Sequence, residues 1–206
     1  RKEREAIRDE ALHDMLPRAF SQSRRTYGYL DPRSGWLIVD SASARKAEDF
    51  VAALRQALWS LKVTPLAIKE RPSTVMTQWL ASGPVPESLT LENECELKAP
   101  EEDGGIVRCR RHDLDAPEIL NHIQAGKEVI KLAIAWNDRL SLVLDDALTV
   151  KRLKFLDLVQ EEAADLETDD PAARFDADFS IMSREIEAFL VVLSAWFGGE
   201  KLPALQ

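Results

Sequence analysis

Lys131, Arg152 and Lys154 stand at alternating positions of strand-like segments, with Ala133, Ala135, Ser141 and Val143 as their companions on one face. Ammonium and guanidinium groups raised above a floor of small side chains neutralise phosphates, and they do so without reading a base sequence. Arg24, Arg25, Arg45, Lys46 and Lys127 are further cations available to such a surface. Other chemistries are poorly served. Glu96-Leu97-Lys98 has the Glu-x-Lys order of some metal-dependent nucleases, but no Asp stands upstream to converge with Glu96 on Mg²⁺. His13, His112 and His122 lack metal-ligand spacing with Cys95 and Cys109. Gly104-Gly105 reads as a turn, not a phosphate loop, and no Ser sits in a nucleophile elbow. No catalytic residue, metal or cofactor is expected.

The segment that must position the leading cations is 127–157. Residues 129–136 alternate, Asn137-Asp138-Arg139 turn the chain, 140–144 return and 150–156 come back again. Side chains two apart share a face. One face then collects Ile130, Leu132, Ile134, Trp136, Leu140, Leu142, Leu144, Leu153 and Phe155 as core, and the other collects the cations.

The remaining elements follow the same rules. Residues 2–16 form a helix with an apolar stripe of Ile7, Ala11, Leu12, Met15 and Leu16, ended or kinked by Pro17. Residues 24–30 and 36–40 read as a hairpin around Asp31-Pro-Arg-Ser-Gly35. A helix capped by Ser43 keeps a 3.6-residue period through Ala47, Phe50, Val51, Leu54, Leu58 and Leu61. Residues 63–69 read as a strand and 73–81 as a short helix behind Pro72. Residues 89–99 and 106–111 form a second hairpin. A turn centred near Glu102 sets Cys95 opposite Cys109, Leu97 opposite Val107, Glu96 opposite Arg108 and Glu94 opposite Arg110, with Arg111 turned the other way beside Asn93. Pairing with those carboxylates weakens Arg108 and Arg110 as contacts to an outside anion. Asp115 is the expected cap of a helix that Gly126 ends.

Residues 158–166 make an acidic helix, and Asp170-Pro171 open the last one. In it Phe175, Phe179, Met182, Ile186, Phe189, Leu193 and Trp196 form a seam, which packs on its own domain or meets a second subunit. The class expected is α+β, with antiparallel hairpins, a three-stranded meander, flanking helices and a long C-terminal helix. Residues 24–69 and 91–136 both read hairpin, helix, strand. Four regions result: 1–17, a helix continuing from a segment expected upstream because position 1 is Arg; 18–86, a first lobe; 87–157, a second lobe with the meander; and 158–206, the acidic segment and final helix.

The 206 residues carry a formal net charge of −9, which at first argues against nucleic acid. Its distribution reverses that reading. Residues 157–178 hold nine acids and one Arg, while 18–46 hold six cations against two acids. No apolar run approaches the ~20 residues of a membrane helix, and two cysteines do not make a secreted disulfide framework, so a cytosolic, reduced setting is expected.

Several motifs, taken in order, resemble the RdgC family of recombination-associated proteins. They are Leu16-Pro-Arg-Ala-Phe-Ser21, Val39-Asp-x-Ala-Ser43 with Lys46-Ala-Glu-Asp49, Glu96-Leu-Lys98 before Glu102-Asp-Gly-Gly105, Ala125-Gly-Lys127, Lys131-Leu-Ala133, Lys151-Arg-Leu-Lys-Phe155 and Arg174-Phe-Asp-Ala-Asp-Phe179. The likeness runs from about residue 8 to 199, without the family's N-terminal portion. It implies a bacterial, nucleoid-associated protein that binds duplex DNA with little sequence preference. It also implies a ring-shaped homodimer with a positive central hole, which restrains the recombinase RecA by competing for DNA, and no catalytic activity. Phe20, Arg111, His112 and the terminal seam, with Phe189 and Leu193, are the expected subunit contacts. Two alternatives are a module that touches a recombinase through the acidic run, and a metal-dependent nuclease around Glu96.

Overall fold

A computed structural model of the chain describes residues 2–20, 22–81, 83–101, 104–165 and 168–201. Helix α1 spans Lys2–Met15 and tightens into a 3₁₀ turn, Leu16–Arg18, that takes up Pro17. Strands β1 (Gly28–Asp31) and β2 (Trp36–Val39) make a small hairpin, followed by α2 (Ala44–Leu58) and α3 (Pro72–Leu80). Then come β3 (Leu89–Lys98), β4 (Ile106–Arg110), α4 (Pro117–Gln124), β5 (Glu128–Trp136), β6 (Leu140–Asp145) and β7 (Val150–Phe155). Helices α5 (Asp157–Asp165) and α6 (Pro171–Trp196) follow. The fold is α+β, as expected from the sequence.

Strands β3 to β7 form one antiparallel sheet in the order β4-β3-β5-β6-β7. Its apolar face buries Cys95, Leu97, Leu132, Ile134, Trp136, Leu140, Leu142 and Leu144 against Met76 and Trp79 of α3, Ile119 of α4, and Phe189, Leu193 and Phe197 at the end of the chain. The hairpin β1–β2 meets the rest of the protein through α6, where Tyr29 packs edge-on against Phe179 with ring centroids 5.1 Å apart. Gly28 permits this lobe to close, because a Cβ there would lie 2.8 Å from the Phe50 ring of α2. The long stripe of α1 faces solvent in the single chain, with Ile7, Leu12, Met15 and Leu16 all exposed.

The register of β3 on β4 is the one the charge ladder dictates: Cys95 opposite Cys109, Glu96 opposite Arg108, Glu94 opposite Arg110. The turn centre at Glu102 lies outside the described residues, as do Leu166 and the tail from 202. Asn137 and Asp138 both adopt left-handed φ (47° and 53°), the geometry that a two-residue turn between twisted strands requires. Asp170 caps α6 by accepting the Ala172 N–H, and Gly126 (φ +85°) ends the α4 region.

Several expectations are corrected. Residues 63–69 are not a strand; only an isolated bridge joins Ile68 to Glu200, so the first hairpin-helix unit lacks the third strand of the second. Helix α3 packs on β5, where Thr77 Oγ1 accepts the Val129 N–H (2.8 Å). Ser43 occupies the N-cap of α2 but its hydroxyl makes no capping bond. Ala116, not Asp115, is the N-cap of α4, because the Asp113 carboxylate takes the Asp115 N–H and tightens the loop ahead of it. In β5 the register slips at Ile130, so Val129 joins Leu132 in the core and Ile130 is only half-buried.

Candidate nucleic-acid interface

The second face of the large sheet carries the cations in rows set by the register. Arg108, Glu96, Lys131 and Asp145 lie side by side across β4, β3, β5 and β6. In the next row Arg110 and Glu94 lead over to Ala133, Val143 and Lys151. A further row runs Thr90, Ala135, Ser141 and Lys154. These three rows, together with Arg152, whose guanidinium reaches Glu94, bring six cations together with three carboxylates, a local excess of positive charge on a chain that is acidic in total.

Bulges make this arrangement possible. Lys151 and Lys154 are three residues apart and would point to opposite faces of a regular strand. Pairing passes from Val143↔Lys151 to Ser141↔Lys154, so β7 sets one residue more than β6 between them. Arg152 takes up the excess with φ +53°, a left-handed conformation that costs an L-residue about 1 kcal/mol. Arg152 Nη2 reaches Glu94 Oε1 at 2.8 Å although β6 and β5 separate their strands. Three strand spacings amount to ~14 Å, so both side chains must lie extended along the sheet to meet. The pair passes over Ala133 and Val143, which are buried on this face.

The charges are extensively cross-linked. Lys131 Nζ donates to Glu96 Oε2 (2.6 Å), and Arg108 Nε sits 3.1 Å from the other Glu96 oxygen. Lys151 Nζ lies 2.7 Å from Asp145 Oδ2, while Asp145 Oδ1 accepts the Ala147 and Thr149 N–H groups. Glu94 Oε1 faces two guanidinium groups, Arg152 and, at 3.5 Å, Arg110. Lys154 is exposed and, among the described residues, has no ion-pair partner.

Burial alone would raise the Glu96 and Asp145 carboxyls. Lys131 and Arg108 reverse this for Glu96, and Lys151 with the backbone N–H groups reverses it for Asp145, so both end below their ordinary values. A carboxylate with a depressed folded pKa adds stability above its unfolded value, about 4, and loses it as pH falls through the folded value. We expect stability in urea to be level from pH 7 to about 5 and to fall steadily below that. Glu96→Gln should lower the neutral value and flatten the acid limb; an acid limb as steep as the parent's would show that Glu96 is not one of the groups responsible.

Of the residues anticipated from sequence, Lys131, Arg152 and Lys154 do share one surface, with Lys131 and Arg152 already ion-paired. Lys127 is half-buried at the turn leading into β5. Arg24 and Arg25 are exposed ahead of β1, Arg24 donating to Gln22 Oε1, and Arg45 and Lys46 are exposed on the first turn of α2. These four ride on the hairpin lobe, which joins the sheet through α6 on its apolar side, so a single chain does not gather both sets in one row. Lys151 was not anticipated, because plain alternation sends it to the core face.

Phe20 is fully exposed and is no staple onto the core. Arg111 and His112 are exposed where β4 ends, Arg111 in a left-handed conformation (φ +52°). Beside them opens a hollow of about 470 Å³ lined by Leu91, Glu92, Asn93, His112, Asp113, Leu114 and Asp115. Phe189 and Leu193 correct the seam reading. Both are buried inside this chain, Phe189 against Trp136 (centroids 5.7 Å) and Trp196 (6.0 Å), and neither offers surface to a second copy.

Other chemistry finds little support. Both Glu96 oxygens are engaged by cations, and among the described residues no three His, Cys, Asp or Glu side chains converge for a metal. Burial, with Cys109 beside it, pushes the Cys95 thiol up to about 12, so it is not a nucleophilic thiolate. In the acidic run, Glu162 is tied to Arg139, which also clamps Glu185 of α6; these hydrogen bonds, the Glu185 pair foremost, hold the guanidinium charge firmly. Among the described residues no helix is long and apolar enough to cross a membrane.

Fold and face together define an α+β protein whose antiparallel sheet turns one side to its own helices and carries a cation-rich opposite side. A family model described as "Putative exonuclease, RdgC" matches residues 1–200. Three curated relatives each bear the name Recombination-associated protein RdgC. The one from Aeromonas hydrophila subsp. hydrophila is 45% identical over 201 residues, covering 98% of this chain and 66% of that protein. That from Psychromonas ingrahamii is 42% identical over 98% of this chain and 67% of its own length, and that from Halorhodospira halophila 44% over 99% and 68%. The chain belongs to the RdgC family. It spans about two thirds of the length of these relatives.

Proposed function

We propose that this chain binds the phosphate backbone of duplex DNA, without sequence preference and without catalysis, as one half of a homodimeric ring. The observation that carries the reading is the sheet face whose rows, with Arg152, set six cations among three carboxylates over a floor of small residues. Such a face neutralises phosphates and offers no helix or ribbon to enter a groove and read bases. A ring reconciles an acidic protein with DNA, since positive charge turns inward and the 157–178 run outward. Two-fold closure requires a self-complementary contact. Phe20 of one copy entering the hollow beside the partner's Arg111–His112 strand end would supply it twice over. Restraint of RecA, which the family likeness implies, follows from occupying the phosphates that a recombinase needs, in the cytoplasm and on the nucleoid. The relatives' names tie the family to recombination, and the exonuclease description is not adopted because both Glu96 oxygens are held by cations.

Encirclement has a direct test. Protein loaded on relaxed circular DNA should survive a wash at high salt, whereas protein on linear DNA of the same sequence should slide off the ends. Equal loss from both would sink the ring. A Phe20→Ser variant should lose the difference while keeping its salt-sensitive binding.

A further inference from the structure

We infer that Glu94 is a built-in competitor for the DNA site: an internal carboxylate that holds two guanidinium groups back from phosphate and so limits affinity. The inference rests on the DNA-binding reading above. Glu94 is mostly buried, and a single oxygen faces Arg152 Nη2 at 2.8 Å and Arg110 Nε at 3.5 Å. Both arginine side chains remain more than half exposed, at 56% and 67%, so each can leave that oxygen for one outside. Arg152 is drawn across β6 and β5 to reach it. Glu96 is a different case. Its two oxygens are divided between two cations, Oε2 holding the 32%-exposed Lys131 at 2.6 Å as a fixed strut and Oε1 the Arg108 guanidinium at 3.1 Å, so neither oxygen is shared. Asp145 is likewise tied to the β6–β7 turn by two backbone N–H groups. A carboxylate that shares one oxygen between two exposed cations imitates the phosphate it competes with, and DNA must displace it. Affinity is thereby kept below what six cations would confer, as suits a protein that must also release DNA.

The test uses duplexes of unrelated sequence and follows affinity across a salt series. Glu94→Gln, which keeps shape and removes charge, should tighten binding about three- to tenfold and steepen the logarithmic salt slope by about one unit for each guanidinium released. Adding Arg152→Gln to it should return most of the gain. Glu161→Gln removes the same charge from α5 and should change little. Unchanged or weaker binding by Glu94→Gln overturns the inference if Lys154→Glu still weakens binding. Equal tightening by Glu161→Gln also overturns it, since net charge alone then accounts for the effect. If neither Glu94→Gln nor Lys154→Glu alters binding, the DNA-binding role of the face fails and the inference falls with it. Should Glu94→Gln prove unfolded, Glu94→Asp carries the test. It draws the charge back by one methylene and should shift affinity the same way by a smaller factor.

Discussion

Reversal of Arg152 and Lys154 to glutamate should weaken duplex binding about 100-fold near 0.1 M salt and reduce the salt slope by at least about one unit. Each substitution removes a cation and sets an anion in its place, so the Lys154 contact is lost, the Arg152 contact can no longer form when Glu94 is displaced, and two repulsions appear. The loss should be the same for every duplex sequence, because neither side chain belongs to an element that reads bases. Lys154 is the sharper half of the pair, being exposed and without an ion-pair partner among the described residues. Lys131, equally prominent in the sequence, should behave otherwise. Its ammonium is held by Glu96, so Lys131→Glu sets two carboxylates together on a buried site and acts first on stability. Fluorescence anisotropy on labelled duplexes between 50 and 300 mM salt, roughly the range where such contacts separate, gives both quantities. An unchanged slope in the double variant would remove this face from DNA binding.

Truncation of Phe189 to Ala should lower folding stability by about 3–5 kcal/mol. That is a large share of the roughly 5–15 kcal/mol that holds a domain together. Phe189 projects from α6 onto the apolar side of the sheet and is 2% exposed, its ring set against Trp136 and Trp196. Removing it opens a cavity bounded by rigid aromatic neighbours that cannot collapse to fill it. Phe175 belongs to the same heptad-like series but is 67% exposed, and Phe175→Ala should shift stability by less than about 0.5 kcal/mol. Urea unfolding at two protein concentrations, with sedimentation of the native state, separates core from interface. A Phe189→Ala protein that keeps its unfolding midpoint but sediments as a smaller species would place this residue between subunits after all.

The β3–β4 hairpin was legible because two independent periodicities agreed on it. Glu94 and Glu96 alternate with Cys95 and Leu97, and Arg108 and Arg110 alternate with Val107 and Cys109, so a slip by one residue would break the ion pairs and expose the core face together. The stretch 63–69 had the composition of a strand but only one partner, the bridge from Ile68 to Glu200, and a strand without a ladder does not form. The terminal seam was visible as a period, but period does not say what lies opposite. Phe189 and Leu193 found the sheet of their own chain, while Phe175 of the same series remained exposed.

The sequence by itself determined the α+β class, the turns at Asn137-Asp138 and Gly126, the ladder register, and the presence of cations on one side of the meander. These follow from local rules: two-residue alternation, the few residues that tolerate left-handed φ, and opposite charges placed opposite each other. Tertiary structure alone decided that Lys151 joins Lys154, that Val129 replaces Ile130 in the core, and that Arg152 reaches over two strands to Glu94. The first two depend on bulges, and the third on two side chains meeting across the middle strands of a five-stranded sheet. An extra residue in a strand leaves no mark in the hydrophobic period until neighbouring strands supply the register against which it counts as extra.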